Sequence, residues 1–284
     1  MMRAEGVGLR LNGKEILHGV NCTVTPGQVT VVMGKNGAGK STLLQIMAGQ
    51  VFAGKGSAAG GAVAGAVWLD ERAMQDIAPA DLAGRRSVLA QSVQLGFPLP
   101  VAEVVELGCY GRYHQLTALQ RKQAVDNYLD LLDLNPLRDR SFLTLSGGEQ
   151  KRVLLAKCLL QLDAENPNLT TNRYLLLDEP TAALDLEQQY RFVDLATRLA
   201  RERGLGVLAV LHDLNLAARF ADHLLFLRDG KTVASGPPAE VLTKTIIQAT
   251  FNVDCLIQPH PCFNCPLITT LPYGKPNIAP ACAP

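Results

Sequence analysis

The residues Gly34–Thr42, GKNGAGKST, fit G-x-x-x-x-G-K-[ST] directly between an apolar β-branched run, VTVVM, and a helix-forming segment. Glycines at 37 and 39 free the backbone of Gly34, Lys35, Asn36, Gly37, Ala38 and Gly39. Consecutive N–H groups, backed by a helix N-terminus, can then face a triphosphate. Lys40 is placed to reach the β/γ oxygens, Ser41 to ligate Mg²⁺ and Thr42 to add a second hydroxyl beside it. A plain glycine turn would explain the glycines but not Lys-Ser-Thr at this spacing. A second stretch, YLLLDEP (174–180), ends an apolar run in adjacent carboxylates. Asp178 could hold Mg²⁺ directly or through water, and Glu179 could orient and deprotonate an attacking water. Alone, this could be a strand stopping at an acidic turn; beside the glycine loop it reads as the metal and base end of a nucleotide site. The third stretch is LSGGE (145–149), where Ser146 and Glu149 have capping-box spacing. Gly147 and Gly148 cost such a helix start about 1 kcal/mol each relative to alanine. A hydroxyl, two bare glycines and a positive dipole end suit a phosphate.

These groups need strands and helices to hold them. Val7–Leu11 and Ile16–Val24 read as strands around an Asn12-Gly13 turn, and Val29–Met33 as a short buried strand. Helical patterns dominate from Pro98 to Leu145, including Val101–Tyr110 and Leu116–Leu134, before strands return at 174–178 and 206–211. Asp185 and Gln188 mark the start of a helix Leu186–Arg203 closed by Gly204, and Asp229-Gly230 turns a hairpin. The residues between Leu162 and Arg173 are polar and turn-forming. Alternating strands and helices imply an α/β fold with a mostly parallel sheet and a helical piece inserted in it.

Composition narrows the class. The charge is nearly balanced, 27 Lys+Arg against 26 Asp+Glu, which disfavours a polyanion such as nucleic acid as partner. No apolar run approaches a membrane span, and the first residues lack the apolar core of a signal peptide. Seven scattered cysteines make no disulfide framework. Only Cys262 and Cys265 have metal-ligand spacing, with His260 and Cys282 as possible further ligands but no second CxxC in support.

LSGGE together with GKNGAGKST and YLLLDEP resembles the ATP-binding subunits of ABC transporters, over about residues 5–245. The resemblance implies an α/β P-loop NTPase of ABC ATPase type: a mostly parallel sheet, an N-terminal antiparallel β subdomain and an inserted helical subdomain. Residues 1–250 would form one ATP-binding domain with the helical part at about 95–147, followed by an irregular tail, 251–284. It further implies ATP and Mg²⁺ as ligands and a homodimer in which Ser146, Gly147 and Gly148 contact the γ-phosphate on the partner's P-loop. Gln91 matches the family's glutamine that senses Mg²⁺ and the attacking water, Ala183–Asp185 the loop crossing the dimer, and His212 the switch histidine near the γ-phosphate. Without the resemblance, a lone histidine after a buried strand would read as a core residue. One departure is Leu11, where many members place an aromatic side chain against adenine.

HDLNLAARFADHLLFLRDGKTVASGPPAEVL (212–242) is similar to the importer ATPases that serve haem, ferric siderophores and vitamin B12. RSVLAQSVQLGFPLPVAEVVELG, the polar excursion and YLLLDEPTAALDLEQQY resemble the haemin-importing members of that group most. That implies two separate transmembrane permease subunits, a periplasmic haemin-binding protein and a peripheral place on the cytoplasmic face of the inner membrane. A siderophore or B12 importer is the alternative. Non-transport ABC ATPases usually carry two cassettes or a long coiled coil, neither of which this sequence has. In the loop after Gln91, Leu95, Phe97 and Leu99 with Pro98 and Pro100 read as a stiff apolar connector for a permease helix.

Overall fold

The computed structural model describes residues 1–51, 62–91, 95–162, 171–182 and 184–271. Strand β1 (Met2–Leu11) turns through Asn12 and Gly13 into β2 (Lys14–Val24). Both turn residues have positive φ, 48° and 79°, as a two-residue hairpin with the right-handed twist of its strands requires. β3 (Val29–Gly34) is buried along its whole length and feeds α1 (Lys40–Met47), which buries Leu43, Leu44, Ile46 and Met47. β4 (Ala62–Leu69) pairs antiparallel with β1 and with β5 (Arg72–Ala73), giving a sheet ordered β2-β1-β4-β5. α2 (Pro79–Arg85) leads straight into β6 (Arg86–Leu89).

Between β6 and the next strand lie α3 (Val101–Glu106) and α4 (Ala118–Leu131), within the stretch expected to be a helical insertion, and α5 (Gly147–Leu162), which starts at its expected end and runs on past it. The first of these helices is shorter than the sequence pattern suggests and tightens into a 3-10 turn over Leu107–Arg112. Within it Gly108 passes so close to α5 that a Cβ there would lie 2.6 Å from the Lys157 carbonyl. α4 starts on a reciprocal capping box between Thr117 and Gln120.

Thereafter come β7 (Tyr174–Leu177), α6 (Leu186–Arg203), β8 (Gly206–Val210), α7 (Leu214–Phe220), β9 (His223–Arg228), β10 (Lys231–Gly236), α8 (Pro238–Val241) and α9 (Lys244–Phe251). The second sheet is ordered β10-β9-β3-β8-β7-β6 and is parallel except for the β9-β10 hairpin. Alternate residues go to opposite faces: Leu175, Leu177, Val207 and Ala209 join the core shared with the helical insertion, Leu176, Leu208 and Val210 the core under the antiparallel sheet. Burial on both faces is why these strands read as unbroken apolar runs.

The tail departs from expectation. Residues expected to be irregular form an antiparallel hairpin, β11 (Cys255–Pro259) with β12 (Pro266–Thr270). Ile268 is buried in the main core, and the Asn215 side chain of α7 bonds both its N–H (2.8 Å) and its carbonyl (3.1 Å). These long-range contacts fix a segment whose prolines sit at the strand ends, where they cost no ladder bond. The expected polar excursion at 163–170, Ala183, Cys282 and the last part of the tail lie outside the described residues.

Candidate nucleotide site

In the order β3, β8, β7, β6 the sheet sets four parallel strands side by side, and each is followed at its C-terminal end by a residue singled out above. β3 delivers the glycine loop, β8 His212, β7 Asp178 and Glu179, and β6 Gln91. Open α/β sheets bind ligands at this edge.

The loop's glycines are needed where they stand. Gly34 has φ 155° and a Cβ there would lie 2.2 Å from the Leu227 carbonyl; Gly39 has φ 97° and a Cβ there would lie 2.6 Å from Leu17 Cδ2. The first lets the chain leave the sheet against β9, and the second lets it enter α1 against β2. Lys40 is only 5% exposed and its Nζ donates to the carbonyls of Gly34 (2.9 Å) and Lys35 (3.0 Å). Burial pulls its pKa down, opposed by the charges of Glu179 and Asp178. The ammonium thus waits under the loop that would receive phosphate.

Ser41 Oγ donates to Asp178 Oδ1 at 2.8 Å. Asp178 is 6% exposed, and burial raises its pKa, offset in part by the Ser41 bond. A hydroxyl and a carboxylate at this separation are hard oxygen donors of the kind Mg²⁺ takes with waters and phosphate oxygens, so the residues fit that ion. Glu179 adopts φ 47°, an unusual left-handed conformation for a non-glycine residue. Its Oε2 accepts from Gln91 Nε2 at 2.7 Å and its Oε1 lies 2.8 Å from His212 Nε2. Both oxygens of the expected base are therefore engaged by the two residues expected to act with it. The structure brings Lys40, Ser41, Gln91, Asp178, Glu179 and His212 into one connected edge.

Ser146, Gly147 and Gly148 stand apart. They line an open hollow of about 450 Å³ with Leu184, Asp185 and Gln188, the start of α6. Ser146 N–H and Oγ both donate to Glu149 Oε2 at 2.8 Å, and Glu149 N–H reaches back to Ser146 Oγ at 3.4 Å. The reciprocal bonds hold the Glu149 carboxyl below its usual pKa and leave Gly147 exposed. The hollow has the makings of a phosphate site without a P-loop of its own.

Lys151 is a neighbour of the site that the motifs do not name. From α5 its Nζ reaches the Gln91 carbonyl at 2.9 Å and the Glu179 carbonyl at 3.5 Å. In sequence it is an unremarkable cation one turn into a helix; only the fold carries it to the strand ends. Leu11 is half-buried against the core under the antiparallel sheet, on the strand before the hairpin turn. His260 accepts from the Cys262 N–H at 3.0 Å, and among the described residues no group of three or more His, Cys, Asp or Glu is placed to hold a metal.

A P-loop, an acidic strand end whose Glu179 carboxylate is held by glutamine and histidine, and a serine-capped helix opening on two glycines make up a nucleotide-binding cassette. The chain belongs to the ABC transporter family, which matches residues 17–182, more than half of its length. It is similar to the hemin import ATP-binding protein HmuV of Gloeobacter violaceus, 40% identical over 278 residues that cover 98% of this chain and 96% of that protein. The HmuV protein of Pseudomonas aeruginosa is 41% identical over 269 residues, covering 94% and 99%. Among solved structures, a dimeric ATP-binding cassette in a post-hydrolysis state bound to ADP and Pi matches with a TM-score of 0.69 at 26% identity, covering 84% of this chain and 98% of that one.

Proposed function

We propose that this chain is the ATP-hydrolysing subunit of an importer for haemin, and that two copies clamp two ATP molecules between them. The observation that carries this reading is the similarity, near 40% identity over almost the whole chain, to haemin-import ATP-binding proteins. The loop N–H groups of residues 34–39 and Lys40 hold the β/γ-phosphates, with Thr42 beside them. Ser41, Asp178 and Gln91 would hold Mg²⁺, which supplies charge neutralisation between the phosphates. Glu179 takes the proton of the attacking water, and His212 and Gln91 keep its carboxylate aimed. Glu179 holds Gln91 and His212 on its two oxygens within one copy, and each oxygen keeps a second lone pair for the attacking water. Ser146, Gly147 and Gly148 close on the γ-phosphate of the other copy.

Dimer opening and closing is the work delivered to two transmembrane permease subunits, with a periplasmic haemin-binding protein supplying substrate from the far side. No helix among the described residues is long and apolar enough to cross a membrane, so the proposed place on the cytoplasmic face of the inner membrane depends on that permease. Ferric siderophore or vitamin B12 import would use the same ATPase chemistry.

The loop after Gln91 makes the permease contact testable. Leu95 and Leu99 pack on the main core, whereas Phe97 is 62% exposed. The apolar connector is thus only partly a surface, and Phe97 is its free end. Phe97→Asp is expected to abolish copurification with the permease from detergent-solubilised membranes while nucleotide affinity stays within about twofold, as an exposed substitution should. Undiminished copurification would remove the loop from the interface, and cofractionation of the wild-type chain with ribosomes would favour a non-transport ATPase.

A further inference from the structure

Lys151 lies on the helix that begins with the glycines of the proposed second-copy phosphate site, yet its side chain ends at this copy's own reacting groups. The ammonium makes no ion pair with either carboxylate at the strand ends. It donates to two main-chain carbonyls, those of Gln91 and Glu179, which belong to different strands' C-terminal ends. Burial lowers its pKa, opposed by the charges of Asp178 and Glu179. Glu179 is also the residue in the left-handed conformation, φ 47°, and strained residues persist where neighbouring contacts hold them. Gln91 and Glu179 then bond each other through their side chains. The three residues form a closed triangle: the Lys151 ammonium on two backbones, and the two side chains on one another.

α5 is one rigid element of sixteen residues from Gly147 to Leu162. Whatever moves its N-terminus moves Lys151, one turn in, along with it. We propose that Lys151 is a positioning residue that ties the Ser146–Gly148 helix start to Gln91 and Glu179. Engagement of that helix start by the nucleotide of a second copy is thereby registered at this copy's own Glu179. The inference rests on the catalytic reading of Glu179 given above. Lys151 touches no reacting atom in it; it acts by holding the main chain from which Gln91 and Glu179 project.

The test uses the full chain assembled with its permease, as Lys151→Met, which keeps the apolar stem, and Lys151→Arg, which keeps a charged donor. Lys151→Met should lower kcat roughly 10- to 100-fold, the scale of one charge-assisted hydrogen bond, with KM and fluorescent-ATP affinity within about twofold. Lys151→Arg should recover most of the rate. A kcat within about twofold of wild type for Lys151→Met overturns the proposal. So does a parallel loss of kcat, ATP affinity and melting temperature that arginine does not rescue, since that describes a packing residue. Glu179→Gln measured alongside separates the two ideas. Wild-type hydrolysis by that variant would defeat the catalytic reading itself, whereas an inactive Glu179→Gln beside an unimpaired Lys151→Met defeats only the role of Lys151.

Discussion

Glu179→Gln is expected to trap two copies around two ATP molecules that they bind but do not cleave. The substitution keeps the side chain's size and leaves an amide oxygen for one of the two bonds that Gln91 and His212 now make. It removes the only group at this edge proposed to take a proton from water, a contribution of roughly 10²- to 10⁴-fold in rate. Binding should persist, because Lys40, held on the Gly34 and Lys35 carbonyls, and the loop N–H groups proposed to hold the phosphates are untouched. With hydrolysis blocked, the closed dimer has no route to reopen and should accumulate. Light scattering after gel filtration with Mg·ATP would show a dimer retaining about one nucleotide per copy, by the two-site architecture of such clamps. A monomer under those conditions, or hydrolysis near the wild-type rate, would mean that Glu179 is not the base.

The second large effect is expected at Gly148, with stability and activity moving apart. A Cβ at Gly148 would meet only Leu184 Cδ2 at 3.5 Å, an ordinary contact, and one at Gly147 would meet nothing within 4 Å. Within a single copy, neither glycine is required by packing or by positive φ. Glycine in a helix start is unfavourable by up to about 1 kcal/mol, and a carboxylate in the first turn is favoured by the dipole by roughly 0.3–1 kcal/mol. Gly148→Asp should therefore melt at the same temperature as wild type or slightly higher. Its hydrolysis should nevertheless fall by roughly 10²-fold or more, because the added charge would face a triphosphate at close range. ATP binding to the variant's own P-loop should survive. Differential scanning fluorimetry beside steady-state ATPase assays would check both halves. Full activity in Gly148→Asp would show that this helix end does not meet a nucleotide.

Much of this site is legible in the sequence because its chemistry is local. GKNGAGKST and LSGGE each carry loop, cap and charge within a few residues, and the strands before the P-loop and Asp178 are buried on both faces, which leaves them uniformly apolar. β6 is harder to read. It has four residues, two of them Arg86 and Ser87, and the buried Ser87 hydroxyl is satisfied by Gln161, 74 residues away. The C-terminal hairpin is hidden for a similar reason: its prolines and cysteines suggest irregular chain, while what orders it is Asn215, 53 residues before Ile268. Lys151 is the clearest case in the site. Its partners are 60 and 28 residues away, and no local pattern distinguishes it from a solvated helix cation. His212 and Gln91 lie between these extremes: family resemblance points to both, and the strand order then places them on the two oxygens of one carboxylate.

Uptake into sealed vesicles decides the substrate. Vesicles would carry this chain with its own permease and binding protein, energised by ATP on the side where the chain is bound. Haemin, a ferric siderophore and cobalamin would be offered separately at equal concentration. ATP-driven accumulation of haemin alone is expected, lost when the chain carries Glu179→Gln. Equal uptake of all three, or accumulation of the siderophore or cobalamin without haemin, would contradict it.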